Sequence, residues 1–297
     1  MIKSFDELMD RVKSLPIKKV AVPGAAAKSV IKAACLAKKN RIADFLLVGN
    51  ENEIRNLIIE EEKSMLDKFD IIDESDPVES VKAAVRGIHE GRADLLLKGK
   101  ITTSQLMRGV LDKKNGLKTG SILSDVFIFE SPDRLTLMTD GGVVLYPELK
   151  EKIALINNSV KVAHHLGNPE PKVALLAAIE VPNPKMPPTM DAPLLAKMNE
   201  RGQIKGCIVD GPFALDNAIS EAAAQIKGVD SPVAGKADIL IMPNIEAGNI
   251  FGKAMTYYAH FRVAHVIMGA KVPILITSRA DDAETKLLSI ALGIICA

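Results

Sequence analysis

Short apolar runs alternate with longer amphipathic stretches along most of the chain. The run 19–22 precedes a helical pattern over 25–40, and the run 45–48 precedes another over 51–63. Short apolar runs between turn residues are typical of buried strands, whereas apolar positions spaced by three or four residues are typical of helices. The repeated strand–helix units predict an α/β fold with mainly parallel sheets covered by helices on both faces.

Two features interrupt this alternation. The runs 126–129 and 135–138 flank a turn sequence at 131–133, which predicts an antiparallel or crossing pair of strands and a boundary near 130–134. Four prolines between 181 and 188 predict an extended loop, because proline lacks the N–H that a helix interior needs. A final helix over 282–295 carries an apolar stripe that must cover part of a sheet.

Composition narrows the class of protein. The 297 residues are 47% hydrophobic and 25% charged, with a net charge of +1, which is typical of a globular protein. Nucleic acid is excluded as a partner by the lack of a basic stripe and by an aromatic content of only 4% without tryptophan. We expect neither a signal peptide nor a membrane span, and we therefore predict a cytoplasmic protein. The three cysteines are far apart, which predicts buried, reduced thiols.

Polar clusters follow four of the predicted strands, at the points where helical patterns begin. In an open α/β sheet such loops meet at the ligand-binding edge, and helix amino termini attract anions. A phosphate-bearing small molecule is therefore the predicted ligand. The candidate residues are Lys98, Gly99, Lys100, Thr102 and Thr103, then Asp210 and Gly211, then Asn244, Glu246 and Asn249, and finally Ser278 and Arg279.

Each cluster also has a purely structural interpretation. Arg279 offers a planar fork of donors that matches phosphate, but Ser278 can equally cap a helix. Gly99 permits close backbone approach to a ligand, yet the spacing is not that of an ATP-binding P-loop. A turn at Asp210 and a helix cap at Asn244 would account for the other two clusters. Helix caps and anion ligands therefore remain open alternatives at this point.

Several familiar active-site patterns are missing from the sequence. There is no HExxH or two-histidine-plus-carboxylate spacing, so no metal site is indicated. A GxSxG elbow and a GxGxxG loop after a strand are also absent, although 22–27 occupies the place where a dinucleotide loop would lie.

Taken in order, the clusters resemble the phosphate acetyl/butyryltransferase family. The string Pro-Asn-Ile-Glu-Ala-Gly-Asn at 243–249, followed by Ser-Arg at 278–279, carries the resemblance most specifically, and Val-Asp-Gly-Pro at 209–212 supports it. The likeness extends over nearly the whole chain. It implies two α/β domains of isocitrate-dehydrogenase-like architecture with a cleft between them, comprising 1–132 plus 278–297 and 133–277. The carboxyl-terminal segment would then return to the first domain.

The resemblance also implies an activity. Members of this family exchange an acyl group between coenzyme A and inorganic phosphate, using acyl-CoA as substrate with no tightly bound cofactor and no metal, and commonly form homodimers. Carried over by position, Arg279 would hold phosphate, while Ser278 would steady the oxyanion or the departing sulfur. The acetyltransferase branch has an aspartate base where this chain has Thr285. The neighbouring Glu284 is our candidate base, with Asp281, Asp282 or no base at all as alternatives.

Rival functions differ in what they would require. The string Ala-Glu-Thr-Lys at 283–286 resembles the butyryltransferase branch, which favours butyryl or a branched short chain over acetyl. A nicotinamide-dependent decarboxylating dehydrogenase on the same architecture would need an aspartate cluster and a dinucleotide loop. A regulatory protein that binds acyl-CoA without turning it over is the third possibility. The sequence shows neither the aspartate cluster nor the dinucleotide loop, so the transferase is favoured, and small-molecule substrates are the expected partners.

Overall fold

A computed structural model describes residues 1–277 and 281–297, and it has the predicted α/β fold. Its residues group into two compact units by their contacts. Unit A comprises 5–121 and 264–297, and unit B comprises 1–4 and 122–263.

The helices lie close to the predicted patterns. In the described residues, none combines the length and apolar composition that a membrane span requires. The helices are α1 (Phe5–Lys13), α2 (Lys28–Lys39), α3 (Glu51–Glu62), α4 (Pro77–His89), α5 (Thr103–Val110), α6 (Leu149–His165), α7 (Pro187–Glu200), α8 (Leu215–Ile219), α9 (Glu221–Ile226), α10 (Ile245–Tyr257) and α11 (Ala283–Cys296).

The strands are short and largely buried, as the apolar runs predicted. Those in the described residues are β1 (Lys18–Pro23), β2 (Ala43–Gly49), β3 (Asp70–Asp73), β4 (Leu95–Leu97), β5 (Ser124–Ser131), β6 (Arg134–Thr139), β7 (Lys172–Leu176), β8 (Ile208–Phe213), β9 (Ile239–Ile241), β10 (Val263–Met268) and β11 (Ile274–Leu275).

In unit A the strand order is β3-β2-β1-β4-β11-β10, with every pair parallel except β10 and β11. Leu96 of β4 lies opposite Ala21 of β1 on one side and Ile274 of β11 on the other. The carboxyl ends of these three adjacent strands therefore meet at one edge of the sheet. The loops that follow them are 24–27, 98–102 and the segment beginning at 276.

In unit B the strand order is β5-β6-β9-β7-β8. β5 and β6 pair antiparallel, with Ile128 opposite Leu137, which confirms the pairing that the turn at 131–133 predicted. The other neighbours in this sheet are parallel. Phe129 lies at the centre of a buried apolar cluster, where its ring stacks on Phe261 at 6.0 Å and meets Phe251 edge-on at 5.7 Å. Such contacts fix the packing of helix α10 against its sheet.

Three local predictions need correction. The proline-rich segment is not wholly extended, because α7 begins at Pro187, where a missing N–H costs nothing. The sequence pattern over 215–226 predicts one helix, but the structure has two short ones, since Ser220 has an extended backbone and its side chain caps α9. The turn expected at 210–212 lies inside strand β8, which continues to Phe213.

The two units divide the chain at places other than the predicted domain boundaries. Residues 122–132 lie in unit B because β5 pairs with β6. Residues 264–277 lie in unit A because β11 pairs with β4. Helix α11 also lies in unit A, where it contacts α1 and α2.

Candidate active site

The loop 98–102 joins strand β4 to helix α5, as the sequence predicted. Thr102 is the N-cap of α5: its hydroxyl accepts from the N–H of Gln105 at 3.1 Å, and its own N–H donates to the Gln105 side chain at 2.9 Å. This reciprocal pair satisfies two backbone donors and fixes the start of the helix. Thr103 is exposed at the first position of the helix. The cap and a ligand-facing loop therefore coexist here.

Gly99 permits close approach, but to the protein's own backbone as well as to a ligand. Its N–H donates to the carbonyl of Pro23 at 3.1 Å, and the N–H of Lys100 donates to the carbonyl of Gly24 at 2.6 Å. A Cβ at position 99 would lie 2.2 Å from the Gly24 carbonyl oxygen. The glycine therefore lets the loop after β4 pack directly on the loop after β1.

A cavity of about 460 Å³ opens beside this loop. None of its lining residues in the described part of the chain is acidic, whereas three are lysines. Lys98 is 8% exposed and Lys286 only 3%, so two ammonium groups sit in a largely dehydrated environment. Three lysines with no acidic residue among the described lining give the cavity a positive electrostatic character, which suits an anion. The lining residues are Ala27, Ser29, Val30, Lys98, Gly99, Lys100, Ile101, Thr102, Gln105, Thr277 and Lys286.

Helix α2 points its amino terminus at the same cavity. Its N-cap, Ala27, makes no side-chain capping hydrogen bond, and Ser29 in the first turn is a lining residue. An uncapped helix amino terminus presents backbone N–H groups and the positive end of the helix dipole. The segment 22–27, which occupies the place of a dinucleotide loop but lacks the glycine spacing, thus leads into a helix terminus that suits an anion.

Lys98 also holds the loop in shape. Its Nζ lies 3.3 Å from the carbonyl oxygen of Ile101 and 3.5 Å from that of Gly99. Both are backbone acceptors on the loop that encloses the cavity, so the side chain ties the loop to the end of β4. Lys98 was among the residues predicted from the sequence, and the structure places it in the cavity wall.

Lys286 is a cavity residue that the sequence analysis did not select. It lies in the second turn of α11, and its Nζ donates to the backbone carbonyl of Asp281. Burial lowers the pKa of Lys286 below its usual value, while the negative charges of Asp281 and Asp282 act in the opposite direction. A lysine just ahead of an apolar helical stripe was the available signal, but it fits a solvated surface group equally well.

The predicted carboxylate Glu284 lies elsewhere. It is exposed on α11 and is not a lining residue of the cavity. Asp282 is the N-cap of that helix, where its carboxylate accepts from the N–H of Thr285 at 2.8 Å. Ser278 and Arg279, the predicted catalytic pair, lie outside the described residues, between the cavity residue Thr277 and Asp281.

A second predicted cluster is assembled at the start of α10 in unit B. Asn244 is the N-cap, accepting from the N–H of Ala247 at 2.9 Å, and the amide of Asn249 donates to the carbonyl of Gly141 at 3.1 Å. A Cβ on Gly248 would lie 2.2 Å from the carbonyl oxygen of Asp140. The helix therefore begins in direct contact with the loop that follows β6, and this close approach is possible because residue 248 is a glycine.

Glu246 belongs to the same helix turn and faces a tyrosine. Its carboxylate accepts a hydrogen bond from the hydroxyl of Tyr146, which lowers the pKa of Glu246 and raises that of Tyr146. Both side chains lie at the surface of unit B. Three of the predicted ligands therefore share one helix terminus with the 140–146 loop.

Two buried carboxylates, Asp140 at the start of this loop and Asp125 of β5, were missed by the sequence analysis. Asp140 is 2% exposed and accepts from the N–H groups of Asp125, Gly142 and Val143 at 2.6–2.8 Å. Burial, and then the charge of Asp125, raise the pKa of Asp140 to about 6, against the lowering effect of those three donors. Asp125 lies in β5 and Asp140 follows β6, fifteen positions later in the sequence, so no local motif marks them.

Asp210 and Gly211 are placed differently from the prediction. They lie within edge strand β8, with β7 between them and β9, the strand that leads to Asn244. The carboxylate of Asp210 accepts from the hydroxyl of Ser231 at 2.5 Å and from the N–H of Gly211 at 2.8 Å. The sequence pattern suggested a strand-to-helix junction instead of a strand interior because a Gly-Pro pair usually ends a strand.

The three cysteines are free and buried, as expected. Burial raises the pKa of the Cys35 and Cys207 thiols to about 11 and that of Cys296 to about 12. Thiols held protonated in this way are poor nucleophiles. They pack as small apolar side chains.

Comparisons with known proteins identify the family. A family model described as "Phosphate acetyl/butaryl transferase" matches residues 76–294. A phosphate butyryltransferase from Clostridium acetobutylicum is 49% identical, covering 100% of this chain and 99% of the relative. A phosphate acetyltransferase from Thermotoga maritima is also 49% identical, and the alignment covers 94% of this chain and 95% of that relative. The crystal structure of a branched-chain phosphotransacylase from Enterococcus faecalis matches with a TM-score of 0.83 at 30% identity, covering 94% of this chain and 99% of that one.

The chain belongs to the phosphate acetyl/butyryltransferase family, which confirms the resemblance found in its sequence. It is an acyltransferase.

Proposed function

We propose that this chain is a phosphate butyryltransferase, moving a short-chain acyl group between coenzyme A and inorganic phosphate. In one direction phosphate attacks the thioester carbonyl, and coenzyme A leaves as a thiolate. In the other, the thiolate attacks the acyl phosphate. The relatives named phosphate butyryltransferase, which align over the full chain, support butyryl as the group transferred.

The observation that carries the proposal is the cavity of unit A. Inorganic phosphate is a compact dianion near neutral pH, and the cavity offers three lysines, an uncapped helix amino terminus and no acidic residue among its described lining. We place phosphate against Lys98, Lys100 and the Thr102–Thr103 turn. A phosphate oxygen that is positioned and charge-balanced can attack a thioester without a base of its own.

The remaining predicted residues have roles in this proposal. Arg279 would hold phosphate in a bidentate fork, and Ser278 would donate to the oxyanion of the tetrahedral intermediate. Asn244, Glu246 and Asn249, with Asp210 and Gly211, form the set proposed for coenzyme A. Their support is the family resemblance and, for the first three, a common position at the start of α10.

Further parts of the proposal concern the whole protein. We propose that it works in the cytoplasm as a homodimer or higher homo-oligomer. We also propose that it has a two-domain architecture of the isocitrate-dehydrogenase kind. Acyl-CoA and phosphate are then sufficient for turnover, with no metal and no tightly bound cofactor.

Initial rates with butyryl-, isobutyryl- and acetyl-CoA at saturating phosphate test the function. We expect kcat/KM to be highest for butyryl-CoA or its branched isomer, because each methylene in an apolar pocket is worth about 1–3 kcal/mol. A preference for acetyl-CoA would instead favour an acetyltransferase, a candidate kept by the similarity to the Thermotoga maritima enzyme. Binding without formation of acyl phosphate with any of the three would refute acyl transfer.

A further inference from the structure

Helix α11 reaches the cavity of unit A through one of its described residues, Lys286. The side chain is 3% exposed, and its Nζ donates to the backbone carbonyl of Asp281. The helix follows directly on the segment that contains Ser278 and Arg279. Lys286 lines the same cavity as Lys98, Lys100 and Thr102, which are proposed to hold phosphate.

The carboxylates of this region are not placed for proton transfer in the cavity. Asp282 accepts from the N–H of Thr285 as the helix cap. Glu284 is exposed, and neither it nor Asp281 is a lining residue. Two positions along a helix correspond to a rotation of about 200°, so Glu284 and Lys286 point to opposite sides of α11. Because Lys286 faces the cavity, Glu284 lies on the side of α11 away from it and is not positioned to act there as a base.

The reaction itself fixes how near the sulfur comes to phosphate. In the tetrahedral intermediate the attacking phosphate oxygen and the coenzyme A sulfur are bonded to the same carbon, so they lie about 3 Å apart. A side chain that reaches phosphate in this cavity is thus close to the sulfur as well. Among the described lining residues, the groups that could exchange a proton with sulfur are hydroxyls and lysine amines.

We propose that Lys286 exchanges the proton of the coenzyme A thiol. This inference rests on the proposed function. When an acyl phosphate is consumed, the neutral amine takes the proton from S–H, and the sulfur electron pair forms the S–C bond. The C–O bond to phosphate then breaks, and phosphate departs with that electron pair. In the opposite direction phosphate forms the C–O bond, the C–S bond breaks, and the ammonium of Lys286 protonates the leaving thiolate.

The surroundings of Lys286 suit an amine that changes charge. Burial lowers its pKa, which favours the neutral amine. Asp281 and Asp282, which precede the helix, oppose this and keep the ammonium form within reach. Lys98 has a different task, since it donates to two carbonyls of the loop that it holds.

Two substitutions separate proton exchange from simple charge. Lys286→Arg keeps a cation that does not lose its proton, so kcat in the direction that consumes coenzyme A should fall about 100-fold or more, with the KM for acyl phosphate little changed. Lys286→Ala removes the amine and leaves room for a small one. Ethylamine should then restore more activity than the similarly sized but far less basic trifluoroethylamine, at equal concentrations of free base.

The wild-type enzyme supplies a measurement that does not depend on how a variant folds. Its kcat should rise with pH when coenzyme A is consumed and fall with pH when acyl-CoA is consumed, because the two directions need opposite forms of the same amine. Lys32→Ala, an exposed lysine on α2 that does not line the cavity, serves as the matched control. The amines themselves should not accelerate the wild-type enzyme.

Three results would contradict the proposed role of Lys286 while leaving the proposed acyl-transfer function intact. Near-normal kcat in Lys286→Arg would show that only positive charge is needed. Rescue of Lys286→Ala that does not depend on amine basicity would lead to the same conclusion, as would identical pH profiles in the two directions. Failure of the wild-type enzyme to form acyl phosphate, in contrast, would remove the proposed function itself.

Discussion

Buried lysines give the cavity of unit A its chemical character. Lys98 and Lys286 lose most of their contact with water, and a dehydrated ammonium group interacts more strongly with an anion than an exposed one does. Lys100, on the same loop, is exposed and lines the cavity from the solvent side. The three lysines therefore differ in burial although they face a common space.

Lys100 offers the gentlest test of the phosphate site, because an exposed side chain can be removed with little effect on folding. We expect Lys100→Ala to raise the KM for phosphate several-fold, the loss of a charge-assisted contact worth about 1 kcal/mol or more, while the KM for acyl-CoA changes little. Steady-state kinetics with each substrate varied in turn measures this split. Lys32→Ala is the control, and equal effects of the two variants would contradict the site.

Asp140 provides a residue-scale prediction about pH. Its pKa of about 6 in the folded chain exceeds the usual 3.8, so the folded state holds this proton more tightly than the unfolded chain does. This contribution to stability, on the order of 1–3 kcal/mol, is present at low pH and is lost as pH rises through the interval from about 4 to 6. Asp140→Asn cannot ionise at this position. Its free energy of unfolding should therefore increase relative to that of the wild type as pH rises across that interval.

Urea unfolding of both proteins at pH 4.5 and pH 7 measures this change. The comparison uses the difference between variant and wild type at each pH, because the asparagine also disturbs the hydrogen bond from the Asp125 N–H. Asp133→Asn, at an exposed turn, should leave the difference constant. A constant difference for Asp140→Asn too would mean that this carboxyl is not perturbed.

Sequence patterns identified residues whose role follows from their immediate neighbours in the chain. They missed residues whose properties depend on contacts with residues distant in sequence. The basic loop at Lys98 follows a strand and precedes a helix, so local order was enough to select it. Asp140 acquires its properties from burial and from Asp125 across a strand pair, which no local pattern records. Lys286 was missed because an isolated lysine beside an apolar stripe is usually a surface group.

At the scale of the element, helix α10 combines a tight end with a tolerant middle. Near its start, a Cβ on Gly248 would lie 2.2 Å from a backbone oxygen of the neighbouring loop. In its interior, a Cβ on Gly252 would find its nearest neighbour at 3.5 Å, in ordinary van der Waals contact. One helix therefore holds two glycines that are present for different reasons.

The two glycines give a matched pair of substitutions. Gly252→Ala should stabilise the protein by about 0.5–1 kcal/mol, because alanine loses less backbone entropy in a helix. Gly248→Ala should destabilise it by about 1–3 kcal/mol, since backbone must shift to admit the methyl group. Chemical denaturation measures both. Equal effects from the two changes would contradict the close contact at Gly248.

Element boundaries were predictable where caps and prolines stand in the sequence. Asp76 caps α4 through the N–H groups of Val78 and Glu79 at 2.9 Å, with Pro77 in the first turn, and the string Ser-Asp-Pro at 75–77 is a typical helix start. The break at Ser220 was not predictable, because the three alanines at 222–224 favour a continuous helix. Strand β8 continued through Gly211 and Pro212 because edge strands tolerate a missing N–H.

At the scale of the whole molecule, the alternation of strands and helices was enough to predict the α/β class, and the order of motifs was enough to predict the family. The division into units needed information that the local pattern lacks. Residues 264–277 join unit A through the pairing of β11 with β4, a partnership across almost two hundred residues of chain. Periodicity alone gives no access to such long-range pairing.

Phosphate binding should appear in the stability of the whole protein. A ligand that binds only the folded state at a hundred times its Kd adds about 2.7 kcal/mol, so inorganic phosphate should raise the melting temperature. Hydrogen exchange should slow most at the 98–102 loop and the first turn of α2. Sodium chloride at equal ionic strength is the control, and an equal shift with chloride would exclude a specific anion site.

Unit A is built from two stretches of chain separated by residues 122–263, which belong to unit B. During translation, the loops after β1 and β4 leave the ribosome long before Thr277 and Lys286 are added. Its sheet also lacks a strand between β4 and β10 until residues 274–275 arrive. The nascent polypeptide therefore has no finished pocket for an anion until the segment that carries Thr277 and Lys286 has been synthesised.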